Sequence, residues 1–255
     1  MDRQSLIGLT HFKNKDGIIV VEAPTTQKAN ESAAEILQKY TDSKTALFLS
    51  GGTTPKKFYE LITRQKSLKA GAVGMIDERF GEKDHRNSNE LMIKNTGLLE
   101  YFDEQNIRFY GILKDKEIEE TAGDYDETLR FVFKYFPKSV GIMGIGSDGH
   151  TAGIPAGIMN HESRIKNSGE IVRKMIEDQS SLVSYYELEG YGKRITMNFQ
   201  ALSMLDLIII LALGQEKRET LAQMFKEGPI EEFPARFYLK PEIAAKTILI
   251  TDQIV

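Results

Sequence analysis

The chain has 255 residues and a mass of 28.8 kDa, enough to bury the core of one α/β domain. Its 33 basic and 37 acidic residues give a net charge of −4 and are scattered along the sequence, which argues against a nucleic-acid-binding surface. The absence of cysteine excludes disulfides and thiolate catalysis, and the most apolar stretch, residues 205–213, is too short to cross a membrane.

The first ten residues carry an acid and an arginine but no apolar segment followed by a small-residue cleavage site. They therefore do not resemble a secretion signal, and a cytoplasmic protein is expected. No internal repeat, low-complexity tract or linker divides the sequence. Residues 1–255 are expected to form a single domain, and the sequence leaves open whether it is a monomer or a homodimer.

Apolar runs bounded by turn residues alternate along the chain with stretches of helical period. The predicted strands are residues 17–23, 45–50, 71–76, 107–113, 139–145, 195–198, 207–213 and 247–251. A helix is predicted between the first two strands, on the shared face of Ala29, Ala33, Ile36, Leu37 and Tyr40. Further helices are predicted at residues 55–64, 88–101, 118–136 and 216–226. This order predicts an α/β fold with a mainly parallel sheet, whose ligand site lies in the loops beyond the carboxyl ends of the strands.

The first such loop, residues 50–55, has the sequence Ser-Gly-Gly-Thr-Thr-Pro. Glycines let the backbone approach an anion, hydroxyls can donate to it, and Pro55 suits the first position of the following helix. The amides at the positive end of that helix favour an anion, so the predicted anion-binding residues are Ser50, Gly51, Gly52 and Thr53. The loop is neither a Walker loop nor a GxGxxG fingerprint. The alternative is a tight turn in which Thr54 caps the helix.

The second loop begins with Asp77-Glu78-Arg79 and leads to Asn87-Ser88-Asn89 at the start of the next predicted helix. A carboxylate that emerges from a buried strand can orient a substrate hydroxyl or a histidine, and Arg79 can pair with a phosphate. The alternative is a solvated charge cluster followed by a helix cap.

The third loop, residues 144–152, has the sequence Gly-Ile-Gly-Ser-Asp-Gly-His-Thr-Ala. A histidine in such a loop can exchange a proton at neutral pH and act as a general base, and Asp148 can set its tautomer or bind substrate. The alternative is a surface histidine beside an Asp148-Gly149 turn. A metal site of Asp148, His150 and His161 is weakly supported because no recognised ligand spacing is present, and there is no GxSxG elbow for a serine triad.

Two isolated cations complete the candidates. Lys217 is predicted in the first turn of a helix, where a cation opposes the helix dipole, so a bound anion would explain its position. Arg194 directly precedes the strand at residues 195–198. The alternatives are a snorkelling lysine and an ordinary edge arginine.

In this order and at these separations, the motifs resemble the 6-phosphogluconolactonases and, beside them, the sister glucosamine-6-phosphate deaminases. The similarity runs from about residue 46 to the C-terminus, and its specific part is Gly-x-Asp-Gly-His-Thr-Ala. The resemblance implies a Rossmann-like three-layer αβα fold and a site without metal or cofactor. It also implies hydrolysis of 6-phosphoglucono-1,5-lactone to 6-phosphogluconate in the pentose phosphate pathway, with a small sugar phosphate as the ligand and no membrane or nucleic-acid partner.

The resemblance also assigns roles. It implies that His150 activates water against the lactone carbonyl with Asp148 beside it, and that phosphate is held by Gly52, Thr53, Arg194 and Lys217. The predicted substrate site is completed by Ser50, Gly51, Asp77, Arg79 and Gly149. The deaminases carry an aromatic residue after Asp-Glu and an acid five residues beyond the loop histidine. This sequence has Arg79 and Pro155 there, which favours the lactonase.

Three segments depart from the family pattern. Residues 153–157 are one residue short of the usual spacing, residues 160–192 are longer and more polar than the usual approach to Arg-Ile-Thr, and no Val-Pro follows Arg79. Two other functions therefore stay open: a deaminase or isomerase of amino-sugar phosphates with Asp77 as its base, and a non-catalytic sugar-phosphate-binding protein.

Overall fold

The computed structural model of the chain describes residues 12–159, 163–164 and 167–255. In chain order the strands are β1 (Lys13–Lys15), β2 (Ile18–Glu22), β3 (Thr45–Leu49), β4 (Ala72–Met75), β5 (Asp77–Arg79), β6 (Arg108–Tyr110), β7 (Lys138–Gly144), β8 (Ile158–Met159), β9 (Ser163–Arg164), β10 (Val183–Leu188), β11 (Gly192–Met197), β12 (Leu207–Ala212) and β13 (Thr247–Thr251).

The helices are α1 (Thr26–Tyr40), α2 (Thr53–Gln65), α3 (Asn89–Lys94), α4 (Leu98–Glu104), α5 (Ile118–Tyr135), α6 (Ser168–Glu177), α7 (Phe199–Met204), α8 (Lys217–Met224) and α9 (Pro241–Ala244), with a 3₁₀ helix at Pro234–Leu239. No helix in the described ranges has both the length and the apolar composition to span a bilayer.

Eight strands form the main sheet, in the order β1-β2-β13-β12-β7-β3-β4-β6. All neighbours are parallel except β1 and β2. After β3 the chain builds outward through β4 and β6, and then returns to the other side of β3 with β7. The order in which strands are added to the sheet reverses between the parallel neighbours β3 and β7, where a crevice opens at the carboxyl ends of the strands. The predicted α/β fold with a mainly parallel sheet is confirmed.

Continuous apolar runs form the centre of this sheet. All six residues of β12 and all five of β3 are buried, as expected of parallel strands covered on both faces. Helix α1 presents Ala29, Ala33, Ile36 and Leu37 to the core, so the predicted helical face is also confirmed. Its N-cap Thr25 accepts a hydrogen bond from Lys28 N at 3.2 Å.

A second sheet crosses the carboxyl edge of the first. Strand β5 follows β4 after one residue and pairs antiparallel with β11, which pairs with β10. The predicted strand at residues 195–198 is therefore a strand, but it belongs to this second sheet and starts earlier, at Gly192. The register places Arg194 directly opposite Arg79.

Two further predicted elements are wrong in extent. The helix predicted at residues 88–101 is two helices, because the backbone adopts the left-handed conformation at Gly97, with φ 77°. The strand predicted at residues 107–113 is paired only over Arg108–Tyr110. It ends early because the buried carboxylate of Glu90 accepts hydrogen bonds from the amides of Ile112 and Leu113, the second at 3.1 Å.

Candidate active site

A cleft of about 520 Å³ opens at the carboxyl ends of β12, β7, β3 and β4. Side chains and backbone from the four predicted loops meet there. Ten of the eleven predicted site residues line it: Ser50, Gly51, Gly52, Thr53, Asp77, Arg79, Asp148, His150, Arg194 and Lys217. The lining also includes Asn89 and Tyr191, which the sequence did not single out as ligand-binding residues.

Gly149, the eleventh predicted residue, does not belong to the lining of the cleft. It has φ 90°, and a Cβ atom there would lie 2.4 Å from the ring of Phe233. Its carbonyl accepts a hydrogen bond from Ala235 N at 3.0 Å. Gly149 thus shapes the histidine loop from behind. His161, the third residue of the metal alternative, lies outside the described residues.

The turn at Ser50 leads from β3 into α2, which begins at Thr53. Gly52 is the N-cap residue with φ 105°, so the predicted cap at Thr54 and the predicted first position of Pro55 are both wrong. A glycine cap leaves the amides of the first helical turn open to the cleft. A Cβ atom on Gly51 would lie 1.8 Å from Asn89 Oδ1, so the turn is packed tightly against the start of α3.

Asp148 and His150 form a hydrogen-bonded pair within the third loop. The Asp148 Oδ1 atom accepts from His150 Nδ1 at 2.6 Å and from the His150 amide at 3.1 Å. An ionised carboxylate only accepts, so the proton of a neutral His150 is assigned to Nδ1 and the lone pair to Nε2. The His150 side chain is 42% exposed and that of Asp148 14%, so the imidazole is accessible from the cleft while its partner lies deeper.

The protonation of Asp148 follows from its surroundings. Burial raises the pKa of this carboxyl, but hydrogen bonds from His150 and Tyr191 and the charge of His150 outweigh burial and bring its pKa to about 2. Asp148 is therefore ionised in the folded protein at ordinary pH. Its charge is available to hold the imidazole.

Tyr191 is a site residue that sequence reasoning missed. It lies in the turn between β10 and β11, and its hydroxyl donates a hydrogen bond to Asp148 Oδ2. Its ring meets that of His150 edge-on, with 5.9 Å between ring centroids. Tyr191 is 43 positions from Asp148 in the sequence and belongs to the segment that departs from the family pattern, so no spacing signalled it.

Three cations converge on the cleft from separate elements. Arg79 and Arg194 face each other across β5 and β11, and Lys217 begins α8. Each is held by a backbone carbonyl: Arg79 Nη1 by Asn87 O at 3.0 Å, Arg194 Nε by Tyr191 O at 3.0 Å, and Lys217 Nζ by Ile145 O at 2.8 Å.

None of these three cations makes a salt bridge with another residue in the described part of the chain. Burial lowers the pKa of the Arg79 guanidinium, and the neighbouring charge of Arg194 lowers it further. Like charges directly opposite each other across a ladder are destabilising, so this arrangement is typical of a site that receives an anion.

Asp77 and Asn89 line the cleft beside the Ser50 turn. Asn89 Nδ2 donates to the Asp77 carbonyl at 3.0 Å and to Asp77 Oδ2 at 3.1 Å. Within the described residues, the buried Asn89 Oδ1 and Ser50 Oγ atoms have no hydrogen-bond partner. Buried polar atoms are nearly always paired, so two unpaired ones at the same cleft favour a polar ligand.

Glu78 lies behind the cleft and is fully buried. Its carboxylate accepts hydrogen bonds from the amides of Asn89 and Glu90 at 2.7 and 2.8 Å and from Ser88 Oγ at 2.8 Å. Burial raises the pKa of Glu78 to about 7, against the effect of these donors. The alternative of a solvated charge cluster is therefore wrong, because Asp77 and Glu78 connect β5 to the start of α3.

The comparison with known proteins decides the family. The model of the glucosamine-6-phosphate isomerases/6-phosphogluconolactonases matches residues 22–248. The chain belongs to this family. The 6-phosphogluconolactonase of Rhizobium meliloti is 29% identical over 232 residues, covering 90% of this chain and 92% of that protein. That of Nostoc is 30% identical over 199 residues, covering 74% and 75%.

Solved structures agree on the fold. The 6-phosphogluconolactonase from Plasmodium vivax superposes with a TM-score of 0.75 at 22% identity, covering 100% of this chain and 97% of that one. A monomeric glucosamine-6-phosphate deaminase of the NagB superfamily gives a TM-score of 0.65 at 18% identity, covering 92% and 97%. The resemblance to this family and the predicted three-layer α/β fold are confirmed.

In this family member, the cleft brings together the hydrogen-bonded pair of Asp148 and His150, the turn at Ser50 and three cations. The carboxylates in its described lining are Asp77 and Asp148. Pro155, five residues beyond His150, is buried and brings no acid to that position. The arrangement can hold an anionic group with backbone amides and cations while an imidazole addresses another part of the same molecule.

Proposed function

We propose that the protein hydrolyses 6-phospho-D-glucono-1,5-lactone to 6-phosphogluconate, a step of the pentose phosphate pathway. The observation that carries the proposal is the pairing of His150 Nδ1 with Asp148 at 2.6 Å in the same cleft as three cations that make no salt bridge within the described residues. The curated relatives that span most of the chain are 6-phosphogluconolactonases, which supports the same substrate.

The phosphate of the substrate anchors it at the Ser50 turn. The amides at Gly52 and Thr53, the guanidinium of Arg194 and the ammonium of Lys217 bind this dianion, and Arg79 adds positive charge at the rim. Ser50 Oγ and Asn89 Oδ1 gain polar partners from the bound sugar. Because the phosphate is fixed at one end, the lactone carbon at the other end is held near His150. The binding free energy of the phosphate offsets the entropy that the substrate loses on being oriented.

His150 Nε2 removes a proton from a water molecule as the water oxygen adds to the lactone carbonyl. The tetrahedral intermediate then breaks the bond to the ring oxygen, which takes the proton back from His150 and becomes the 5-hydroxyl of the product. Asp148 keeps the imidazole in the required tautomer and stabilises its charged form.

The proposed chemistry takes its base and its cations from the chain itself, without metal or cofactor. The proposal includes a cytoplasmic location and a single domain over residues 1–255.

A glucosamine-6-phosphate deaminase is the competing function. Asp77 in the cleft would supply the base of such an enzyme, but ring opening and amine departure also need a proton carrier, and Pro155 stands where the deaminases have their acid. Release of ammonia from glucosamine 6-phosphate, with no acceleration of lactone hydrolysis, would decide for the deaminase.

The test is a continuous assay in which the lactone is generated in place and its spontaneous hydrolysis is subtracted. His150→Ala should lower kcat by ~10² or more with little change in KM, because it removes the base and leaves the anion site. Arg194→Ala should mainly raise KM. Equal and small effects of both substitutions would contradict the proposal. Binding of a sugar phosphate with no His150-dependent turnover would instead indicate a non-catalytic binding protein.

A further inference from the structure

Tyr191 links the two functional halves of the cleft. Its hydroxyl donates to Asp148 Oδ2, while its backbone carbonyl accepts from Arg194 Nε at 3.0 Å. Glycines with φ 83° and 72° flank it at positions 190 and 192, so the chain turns sharply enough here to present both groups to the cleft. Tyr191 therefore contacts both Asp148, which holds the proposed base His150, and the cation Arg194.

Both oxygens of the Asp148 carboxylate accept hydrogen bonds. Oδ1 accepts from His150 Nδ1 at 2.6 Å and from the His150 amide at 3.1 Å, and Oδ2 accepts from the Tyr191 hydroxyl. A carboxylate bound only through His150 could rotate about its Cβ–Cγ bond, whereas two donors on opposite oxygens fix its plane. The edge-on contact of the Tyr191 and His150 rings, at 5.9 Å between centroids, fixes the plane of the imidazole as well.

We propose that Tyr191 is a positioning residue, which orients Asp148 and thereby holds neutral His150 with its proton on Nδ1 and its lone pair on Nε2 facing the substrate. The inference rests on the proposed function only for its effect on turnover. The effect on the tautomer of His150 is a property of the free protein.

Tyr191→Phe is the direct test, because it removes the hydroxyl and keeps both the ring and the backbone carbonyl that holds Arg194. The loss of a hydrogen bond to a charged group should lower kcat about ten-fold and change KM by less than about two-fold. Tyr185→Phe is the matched control. Tyr185 lies on β10 of the same hairpin with its side chain exposed, and this substitution should leave kcat and KM unchanged.

The second readout is the tautomer of neutral His150 in ¹⁵N-histidine-labelled protein, recorded in the pH range where its ¹⁵N chemical shifts no longer change with pH. Its signals are assigned by their loss in His150→Ala. The wild type and Tyr185→Phe should carry the proton mainly on Nδ1, and Tyr191→Phe should shift population to the form protonated on Nε2. An unchanged tautomer ratio, or wild-type kcat in Tyr191→Phe, would overturn the proposal. A wild type without lactone turnover would refute the proposed function alone, since the tautomer measurement needs no substrate.

Discussion

Asp148 carries a charge that the folded protein stabilises far better than water does. Its pKa of about 2 lies below the ordinary value of 3.8 because donors from His150 and Tyr191 favour the ionised form more than burial disfavours it. A carboxyl whose folded pKa is depressed contributes stability above its unfolded pKa and loses that contribution as the pH falls through the folded pKa. The window for Asp148 runs from just above 3.8 down to about 2.

We expect this group alone to contribute about 2 kcal/mol of stability at pH 5 and above, most of which is lost by about pH 2. The measurement is the free energy of unfolding in urea, taken through this range for the wild type and for Asp148→Asn. The other acids titrate in both proteins and cancel in the difference. The wild type should lose its advantage over Asp148→Asn progressively as the pH falls. Parallel curves for the two proteins would contradict the assigned hydrogen bonding.

At the scale of elements, the proposed anion site depends on how closely the Ser50 turn packs against α3. A Cβ atom on Gly51 would lie 1.8 Å from Asn89 Oδ1, and that side chain is itself fixed by two hydrogen bonds to Asp77. The turn and the helix must therefore separate to admit a methyl group. The amides at the start of α2 would move with the turn.

Gly51→Ala should raise KM for the lactone at least about ten-fold, because the backbone donors no longer converge on the phosphate. Gly123→Ala makes the same change in the middle of α5, where a Cβ atom meets nothing within 4 Å. It should leave KM unchanged and stabilise the protein by about 0.5–1 kcal/mol through helix propensity. KM for each variant comes from the lactone assay, and stability from urea unfolding. An unaltered KM in Gly51→Ala would show that the turn does not hold the phosphate.

The elements also show what the sequence could predict. Strand β12 was predictable because a short, continuously apolar run in an α/β protein is typical of a parallel strand buried on both faces. The strand predicted at residues 107–113 is also mostly apolar, apart from Arg108 and Gly111, but Glu90, distant in sequence, accepts hydrogen bonds from its last amides. The helix predicted at residues 88–101 has a suitable period, yet Gly97 adopts φ 77° and divides it.

In the candidate site too, local patterns were predictable and contacts between distant residues were not. The loops after the buried strands were predictable, because parallel strands bring their carboxyl ends to one edge. Contacts between segments were not. The sequence could not show that Glu78 is buried, because the amides that donate hydrogen bonds to it belong to residues 89 and 90. Nor could it show that the Tyr191 hydroxyl donates a hydrogen bond to Asp148.

At the scale of the whole molecule, the cleft is assembled by the reversal of strand order between β3 and β7. The Ser50 turn follows β3 and the His150 loop follows β7, on the two sides of that reversal. Asp77 and Arg79 come from β5 of the second sheet. Lys217 follows β12, the neighbour of β7 on the side away from β3. No single segment contains both the anion site and the base. In the proposed function, the fold therefore fixes the distance between the bound phosphate and the imidazole, which is the central claim.

A crystal structure of the protein with 6-phosphogluconate bound tests that claim most directly. We predict that the phosphate lies against the amides at Gly52 and Thr53 and contacts Arg194 and Lys217. The carboxylate of the product, which derives from the lactone carbonyl, should lie within hydrogen-bonding reach of His150 Nε2. A phosphate bound elsewhere on the protein, or a product carboxylate that points away from His150, would contradict the account.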